Sequence, residues 1–291
     1  MRRARPLLGT LVDIAAEGTE DILPAAIEAA FASIERIQKL MSFHDVHSDV
    51  SRINEAEAGS AVDVDPHTYR VLEFALELSD VSAGAFDITT AAVLVQHGFL
   101  PQIASAQISS DATFRDLDLL SDHRVCWRRK GCIDLGGIAK GFAVDRAIAV
   151  LRAHGVATAI VNAGGDLRCF GEAQPIHLRH PDDPTLLMGL GWLADAALAT
   201  SAGYFSGRDI GSRRIEPLVD PKRPCCISWD GSVSVAAPDC MTADALTKVV
   251  RLAPDAAPDI LERFNAQAVV IDKLGSRCCG QPWLLQEGIT K

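Results

Sequence analysis

Over residues 24–41, apolar side chains recur at Ile27, Ala30, Phe31, Ile34, Ile37 and Met41, the three-and-four spacing of one helical face. The pattern predicts a long amphipathic helix, with Pro24 near its start, where a proline removes no helical hydrogen bond. A second helix is predicted to open at Asp65-Pro66, an N-cap acceptor followed by a first-turn proline. It would run through Val71, Leu72, Ala75, Leu76 and Ser79 and stop before Gly84. A third, over 140–153, carries Val144, Ala147, Ile148 and Leu151 on one face, and shorter helices are expected over 242–252 and 258–264.

Elsewhere the period shortens to that of strands. LGTLVDIAA, from Leu8, places Leu11, Val12 and Ile14 ahead of polar Glu17 and reads as a first strand. Apolar runs over 124–127 and 132–135 flank Arg128, Arg129, Lys130 and Gly131 and read as a hairpin. Further strands are expected over 157–161, 167–170, 176–178, 187–193, 197–200, 232–236 and 268–271. Helices and strands do not alternate regularly, so the expected class is α+β, with mixed, mostly antiparallel sheets and flanking helices. The expectation is one domain over residues 1–291, with two closely packed lobes as the alternative. Residues 101–110 and 203–230 are the least patterned and are expected to form surface loops.

Composition narrows the function classes. With 48% hydrophobic residues against 23% charged, the chain has too much core material to be disordered. Lys and Arg total 28 against 38 Asp and Glu, a net charge of −10 that repels phosphate backbones, so nucleic-acid binding would need a strong local basic patch. The only short basic clusters are Arg2, Arg3 and Arg5, and Arg128, Arg129 and Lys130. Eight cysteines, irregularly spaced and including the adjacent pairs Cys225-Cys226 and Cys278-Cys279, read as buried or half-buried reduced thiols rather than a disulfide framework. Met1-Arg2-Arg3 before Pro6-Leu7-Leu8 imitates a signal peptide, but Asp13 interrupts the apolar run, and no stretch reaches the roughly 20 apolar residues of a membrane span.

Four segments carry candidate chemistry. IDLGGIAKGFAVDRA, from Ile133, delivers Asp134 on a strand, turns at Gly136-Gly137 and starts a helix near Lys140. Unpaired amides, a helix N-terminus and a lysine make an anion cradle, though a purely structural turn fits the local physics equally well. The segment lacks both the G-K-[ST] and the G-x-G-x-x-G nucleotide signatures. VNAGGDLRCFG, from Val161, repeats the Gly-Gly turn ahead of Asp166. In MTADALTKVV, from Met241, Asp244, Thr247 and Lys248 lie at i, i+3 and i+4 on one helix face. A carboxylate and a hydroxyl so placed could hold Mg²⁺, although in isolation an ordinary surface ion pair between Asp244 and Lys248 is the favoured meaning of that spacing. GAFDITTAAVL, from Gly84, completes the set.

Taken in order with LLGTLVDI, MSFHDVHSDVSRIN from Met41, ALATSAGY from Ala197 and LVDP ending at Pro221, these segments resemble the FAD:protein FMN transferases, the ApbE-like flavin transferases, over almost the whole chain. The resemblance implies an enzyme that binds FAD and, with Mg²⁺, transfers its FMN half to a threonine hydroxyl of an acceptor flavoprotein, releasing AMP. The alternatives are FAD pyrophosphatase activity, giving FMN and AMP, and a catalytically weakened FAD-binding paralogue. By the same resemblance, Ala85, Phe86 and Asp87 match the flavin contact, and Asp134 and Lys140 match FAD contacts. Leu8, Met41, His44 and Val219 are further cofactor-site candidates, with His44 where the family more often has a stacking aromatic ring. Gly137, Asp244, Thr247 and Lys248 fall in the metal-ligand region, and Asp244, Lys248 and Asp220 are the catalytic candidates. Family members are commonly exported; the cysteines and the missing leader point instead to a cytoplasmic chain, with the periplasm as the alternative.

Two departures stand out. Lys248 occupies the place of a usual threonine ligand, and an ammonium has no lone pair for a cation. Either Thr247 serves instead, or Lys248 takes the metal's place, pairing with Asp244 and facing the phosphates. The second is favoured, because a cation beside a metal site opposes metal binding. Pro217 replaces a histidine suited to be the general base, which leaves that duty to a carboxylate or to no residue; Glu216 is adjacent in sequence.

Overall fold

The structure is a computed structural model that describes residues 1–102, 111–180, 183, 185–203, 207–210, 213–273, 275–280 and 285–286. The chain divides into two compact units: residues 1–36, 140–205 and 230–291 form the first, and residues 37–139 and 206–229 the second.

An eight-stranded sheet dominates the first unit, its strands hydrogen-bonded in the order in which the chain makes them. They are Arg2–Leu7, Thr10–Glu17, Thr158–Ala163, Asp166–Phe170, Ala197–Ala202, Gly231–Ala237, Gln267–Asp272 and Gly275–Gly280. Every neighbouring pair is antiparallel. The predicted first strand is in fact two: the chain turns at Leu8-Gly9, both at positive φ, and the basic start Arg2–Leu7 pairs back on Thr10–Glu17.

One face of the sheet packs Leu198, Ala236, Val269 and Ile271 against Ile176, Leu178 and Leu193 of a small sheet that includes Gln174–Arg179 and Leu187–Leu193. Strands Ala197–Ala202 and Gly231–Ala237 also carry the helix Cys240–Leu252. Gly231–Ala237 is therefore buried at every position, which is why small serines alternate with its valines. Helices Leu23–Met41 and Ala139–Ala153 bury the predicted faces, with Ile27, Phe31, Ile34, Val144 and Leu151 fully enclosed.

In the second unit, Asp65 caps the helix Pro66–Val81 as predicted, its carboxylate accepting from the His67 N–H. The predicted hairpin around residues 128–131 is replaced by another. Arg124–Trp127 pairs with Leu117–Leu120 on one side and Ala61–Asp63 on the other, and 132–135 forms no strand. Three of those four residues, Cys132, Ile133 and Leu135, are apolar because they are buried, and a distant side chain satisfies the backbone of Ile133. Buried Asn54 accepts from the Ile133 N–H at 2.8 Å and donates to its carbonyl at 2.9 Å. Asn54→Ala is therefore expected to lower stability by about 2–3 kcal/mol, since it strands a buried donor and a buried acceptor together; a urea midpoint equal to that of the wild type would contradict this.

Both basic clusters are neutralised. Arg2 pairs with Asp13, Arg3 and Arg5 with Glu28, Arg128 with Asp118, Arg129 with Asp116 and Lys130 with Glu57. Buried Cys132, Cys169 and Cys240 are free thiols, with burial pushing the Cys132 thiol up to about 12, while Cys225 and Cys278 are exposed rather than buried. Residues 103–110 of one expected loop lie outside the described residues. The other expected loop, so far as described, holds two small hairpins, Arg208–Ile210 with Arg213–Ile215 and Val219–Asp220 with Cys225–Cys226. Among the described residues no helix is long and apolar enough to cross a membrane.

Candidate functional site

The predicted residues divide between the units: Leu8, Lys140, Asp244, Thr247 and Lys248 belong to the first, and Met41, His44, Ala85, Phe86, Asp87, Asp134, Gly137, Val219 and Asp220 to the second.

In the first unit three elements converge on four charges. Lys140 is the second residue of the helix Ala139–Ala153, Asp166 opens the strand Asp166–Phe170, and Asp244 and Lys248 stand one turn apart on the helix Cys240–Leu252. The Lys140 ammonium donates to Asp166 and lies 3.9 Å from Asp244 Oδ2. That oxygen also accepts the Gly141 N–H at 3.1 Å. The Lys248 ammonium donates to Asp244 Oδ1 and, at 2.9 Å, to the Asp244 main-chain oxygen. The carboxylates are enclosed, with Asp244 1% and Asp166 4% exposed, whereas the lysines reach outward, Lys140 at 35% and Lys248 at 15%.

Burial acts to raise both acids. For Asp244 the ammonium groups of Lys140 and Lys248 outweigh it and hold the carboxyl below its ordinary range. For Asp166 burial wins, and its carboxyl sits above that range. Lys140 is driven the other way from what its burial favours, up, by the two carboxylates. Thr247, 1% exposed, donates its hydroxyl proton to the Asp244 carbonyl at 2.7 Å.

A second tier holds this cluster from below. Asp145, one helical turn and a residue beyond Lys140, accepts the Cys240 and Met241 N–H groups at 2.9 Å each and pairs with Arg168 at 2.7 Å. The three elements are thus tied twice, once through the four charges and once through Asp145. Composition and spacing did not single out Asp145, Arg168 or Gly141, and Asp166 was noted only as the residue after a Gly-Gly turn. That turn is demanding: Gly164 has φ +67°, and a Cβ there would stand 2.5 Å from the Thr10 hydroxyl oxygen. Thr10 directly follows the Leu8-Gly9 turn, so Leu8 belongs to the same end of the sheet as Asp166.

The second unit contains a cavity of about 360 Å³ lined by Asp87, Thr89, Thr90, Phe114, Val219 and Lys222, among others. Asp87 caps the short 3₁₀ turn Ile88–Thr90. Its carboxylate accepts from the Thr89 N–H at 2.8 Å, the Thr89 hydroxyl at 2.6 Å and the Phe114 N–H at 3.2 Å. Burial nevertheless raises its carboxyl above the usual range. Ala85 and Phe86 are 2% and 5% exposed, so their side chains serve the core, and of the three matched residues Ala85, Phe86 and Asp87 it is Asp87 that lines the cavity. Asp134 N–H is bonded to the Ile88 carbonyl at 2.9 Å, and a Cβ on Gly136 would stand 2.9 Å from Asp134 Oδ2, the end of a side chain that can turn aside. Gly137 is half-buried, Met41 is buried and His44 is exposed.

In the segment that lacks the histidine, Pro217 is exposed, and Glu216, 3% exposed, accepts the Trp229 N–H at 3.1 Å. Asp220 accepts from Arg223 Nε and the Lys222 N–H, both at 3.0 Å.

The donor set around Asp244 does not fit a divalent cation. One candidate ligand is a lysine, whose ammonium has no lone pair, and Thr247, which keeps its oxygen lone pairs while donating to the Asp244 carbonyl, is only 1% exposed. Two ammonium groups already surround the carboxylate. Among the described residues no group of three His, Cys, Asp or Glu side chains could hold a metal ion.

An antiparallel sheet carrying a lysine–aspartate cluster, together with a capped carboxylate cavity, defines an α+β protein with polar sites in each of its units. The chain belongs to the ApbE family, whose model matches residues 8–271. It is 29% identical over 279 residues to the FAD:protein FMN transferase of Treponema pallidum (strain Nichols), covering 84% of this chain and 76% of that one. To the FAD:protein FMN transferase of Haemophilus influenzae it is 26% identical over 276 residues, covering 86% and 80%. Among solved structures, the ApbE protein from Thermotoga maritima MSB8 shares the fold with a TM-score of 0.85 at 24% identity, over 99% of each chain.

Proposed function

We propose that this chain is an FAD:protein FMN transferase that moves FMN from FAD to a threonine hydroxyl of an acceptor flavoprotein and releases AMP. The observation that carries the reading is the four-charge cluster of Lys140, Asp166, Asp244 and Lys248, which presents two partly exposed ammonium groups held in place by two enclosed carboxylates. In the reaction the threonine oxygen forms a bond to the FMN phosphorus as the pyrophosphate P–O bond breaks, and AMP leaves with the bridging oxygen. The chain's part is to hold the pyrophosphate and to balance the negative charge that builds on the departing phosphate. Ammonium groups already oriented by carboxylates do this without reorganising.

The hydroxyl proton has to leave as well. Pro217 offers no acceptor, and Glu216 is committed to the Trp229 N–H. Asp220 also has partners, Arg223 Nε and the Lys222 N–H, but its side chain is 16% exposed against 3% for Glu216 and its neighbours Val219 and Pro221 line the cavity, so it is the carboxylate of that segment better placed to take it. Asp220→Asn is expected to slow transfer by about 10²-fold while leaving FAD affinity within about twofold, as for loss of a general base. Single-turnover kinetics beside an FAD titration would separate the two, and an equal loss in both would remove Asp220 from the role.

The reading itself is tested by incubating the purified chain with FAD, with and without Mg²⁺, and an acceptor flavoprotein domain. Covalent flavin fluorescence in the acceptor supports it. FMN and AMP without labelling would make the chain a pyrophosphatase, and retained, unreacted FAD would make it a flavin-binding paralogue.

A further inference from the structure

We infer that Lys248 makes the FAD site of this chain independent of metal: its ammonium provides, as part of the protein, the positive charge that would otherwise have to be recruited as a divalent cation between Asp244 and the pyrophosphate. The inference rests on the FAD reading above and concerns how that same site meets the phosphates.

Three observations carry it. The first is charge: Lys140 and Lys248 set against Asp166 and Asp244 sum to zero, whereas the same cluster without Lys248 would hold one uncompensated buried negative charge and would attract a cation. The second is occupancy. Asp244 Oδ1 and the Asp244 carbonyl both receive Lys248, and Oδ2 receives the Gly141 N–H with Lys140 nearby, so a cation would have to displace an ammonium to reach the carboxylate. Thr247 does not reverse this: its oxygen keeps lone pairs while its proton goes to the Asp244 carbonyl, but it is 1% exposed and a single neutral oxygen does not offset two ammonium groups at the carboxylate.

The third is direction. An ammonium has three N–H donors, and two of those on Lys248 are directed at Asp244. The side chain is 15% exposed while its partner is 1% exposed, so its open side is the outer one. Lys140, at 35% exposure and near the start of its helix, presents a second ammonium. Two lysines fixed on a buried carboxylate pair suit the vicinal charges of a pyrophosphate.

The experiment titrates FAD into the full chain by calorimetry, in excess EDTA and again in excess Mg²⁺, and follows Mn²⁺ binding by paramagnetic resonance. For the wild type, FAD affinity is expected to agree within about twofold between the two conditions, and Mn²⁺ is expected to remain free, because a tenfold change would already signal a specific contact. Lys248→Thr restores a hydroxyl ligand and removes the ammonium; FAD affinity is expected to fall about tenfold or more in EDTA and to recover with Mg²⁺, accompanied by new Mn²⁺ binding. Lys248→Met, which keeps the stem and offers no ligand, is expected to lose affinity in both conditions. Thermal unfolding of each variant separates loss of the fold from loss of the contact. Wild-type FAD binding that disappears in EDTA overturns the inference alone, as does a Lys248→Thr variant that remains indifferent to metal. Absence of FAD binding to the wild type in both conditions overturns the reading of the site together with the inference.

Discussion

Asp244→Asn is expected to destabilise the protein by roughly 3–5 kcal/mol, the range for removing one partner from a buried charge network. The substitution is nearly isosteric, so no cavity is opened and the effect isolates the charge. Its consequence is that the ammonium groups of Lys140 and Lys248 are left with Asp166 alone, against a carboxylate position only 1% exposed. Transfer is expected to fall about 10²-fold or more, as when one preorganised electrostatic contact is lost, because Asp244 orients both lysines. The pH dependence has a defined sign. The Asp244 carboxyl is held below its ordinary range, burial being outweighed by the two lysines, so its contribution is complete above the range where an unfolded aspartate titrates and is lost as pH falls through the lower, folded value. The variant should therefore lose less stability on acidification than the wild type. Urea denaturation across the acidic range checks both statements, and parallel curves for the two proteins would remove Asp244 from the network.

Gly141→Ala carries the second large effect, and here two contributions of opposite sign compete. Alanine is the better helix former by about 1 kcal/mol in a helix interior. Against that, a Cβ on Gly141 would stand 2.6 Å from the Cys240 carbonyl carbon, closer still to its oxygen, and 2.9 Å from Asp244 Cβ. Backbone cannot rotate aside as a flexible side chain can, so the helices Ala139–Ala153 and Cys240–Leu252 would have to separate. Overpacking costs about 1–3 kcal/mol, and a contact this short with backbone belongs at the upper end of that range, so the clash wins. The same separation would pull the Gly141 N–H off Asp244, so FAD affinity is expected to fall together with stability. A variant at least as stable as the wild type would show that the two helices can give way.

How much of this was legible depended on the range of the interaction. The helix Leu23–Met41 was readable because its buried residues, Ile27, Phe31, Ile34 and Ile37, repeat the geometry of the helix itself. Asp65 announced the helix it caps for the same local reason. The segment 132–135 misled because apolar residues mark burial, not hydrogen-bond partner; its backbone is met by Asn54, 79 residues away. Gly275–Gly280 passed unnoticed because it is an edge strand, largely exposed, with no alternation to display. The eight-stranded meander follows chain order, yet no strand's own sequence names its neighbour.

The candidate site divides along the same line. Asp244 and Lys248 were legible as an i, i+4 pair, and the order of the motifs carried the family, so the α+β class and the flavin-transferase resemblance were determined by the sequence alone. Only the tertiary structure decided that Lys140 and Asp166 join that pair and that Asp145 fastens the two helices beneath it. It also showed that Glu216 is committed elsewhere and that the charges around Asp244 are balanced. The physical reason is that side chains one helical turn apart are brought together by the helix itself, whereas a strand register and a helix–helix approach as close as that at Gly141 are set by packing across the whole core.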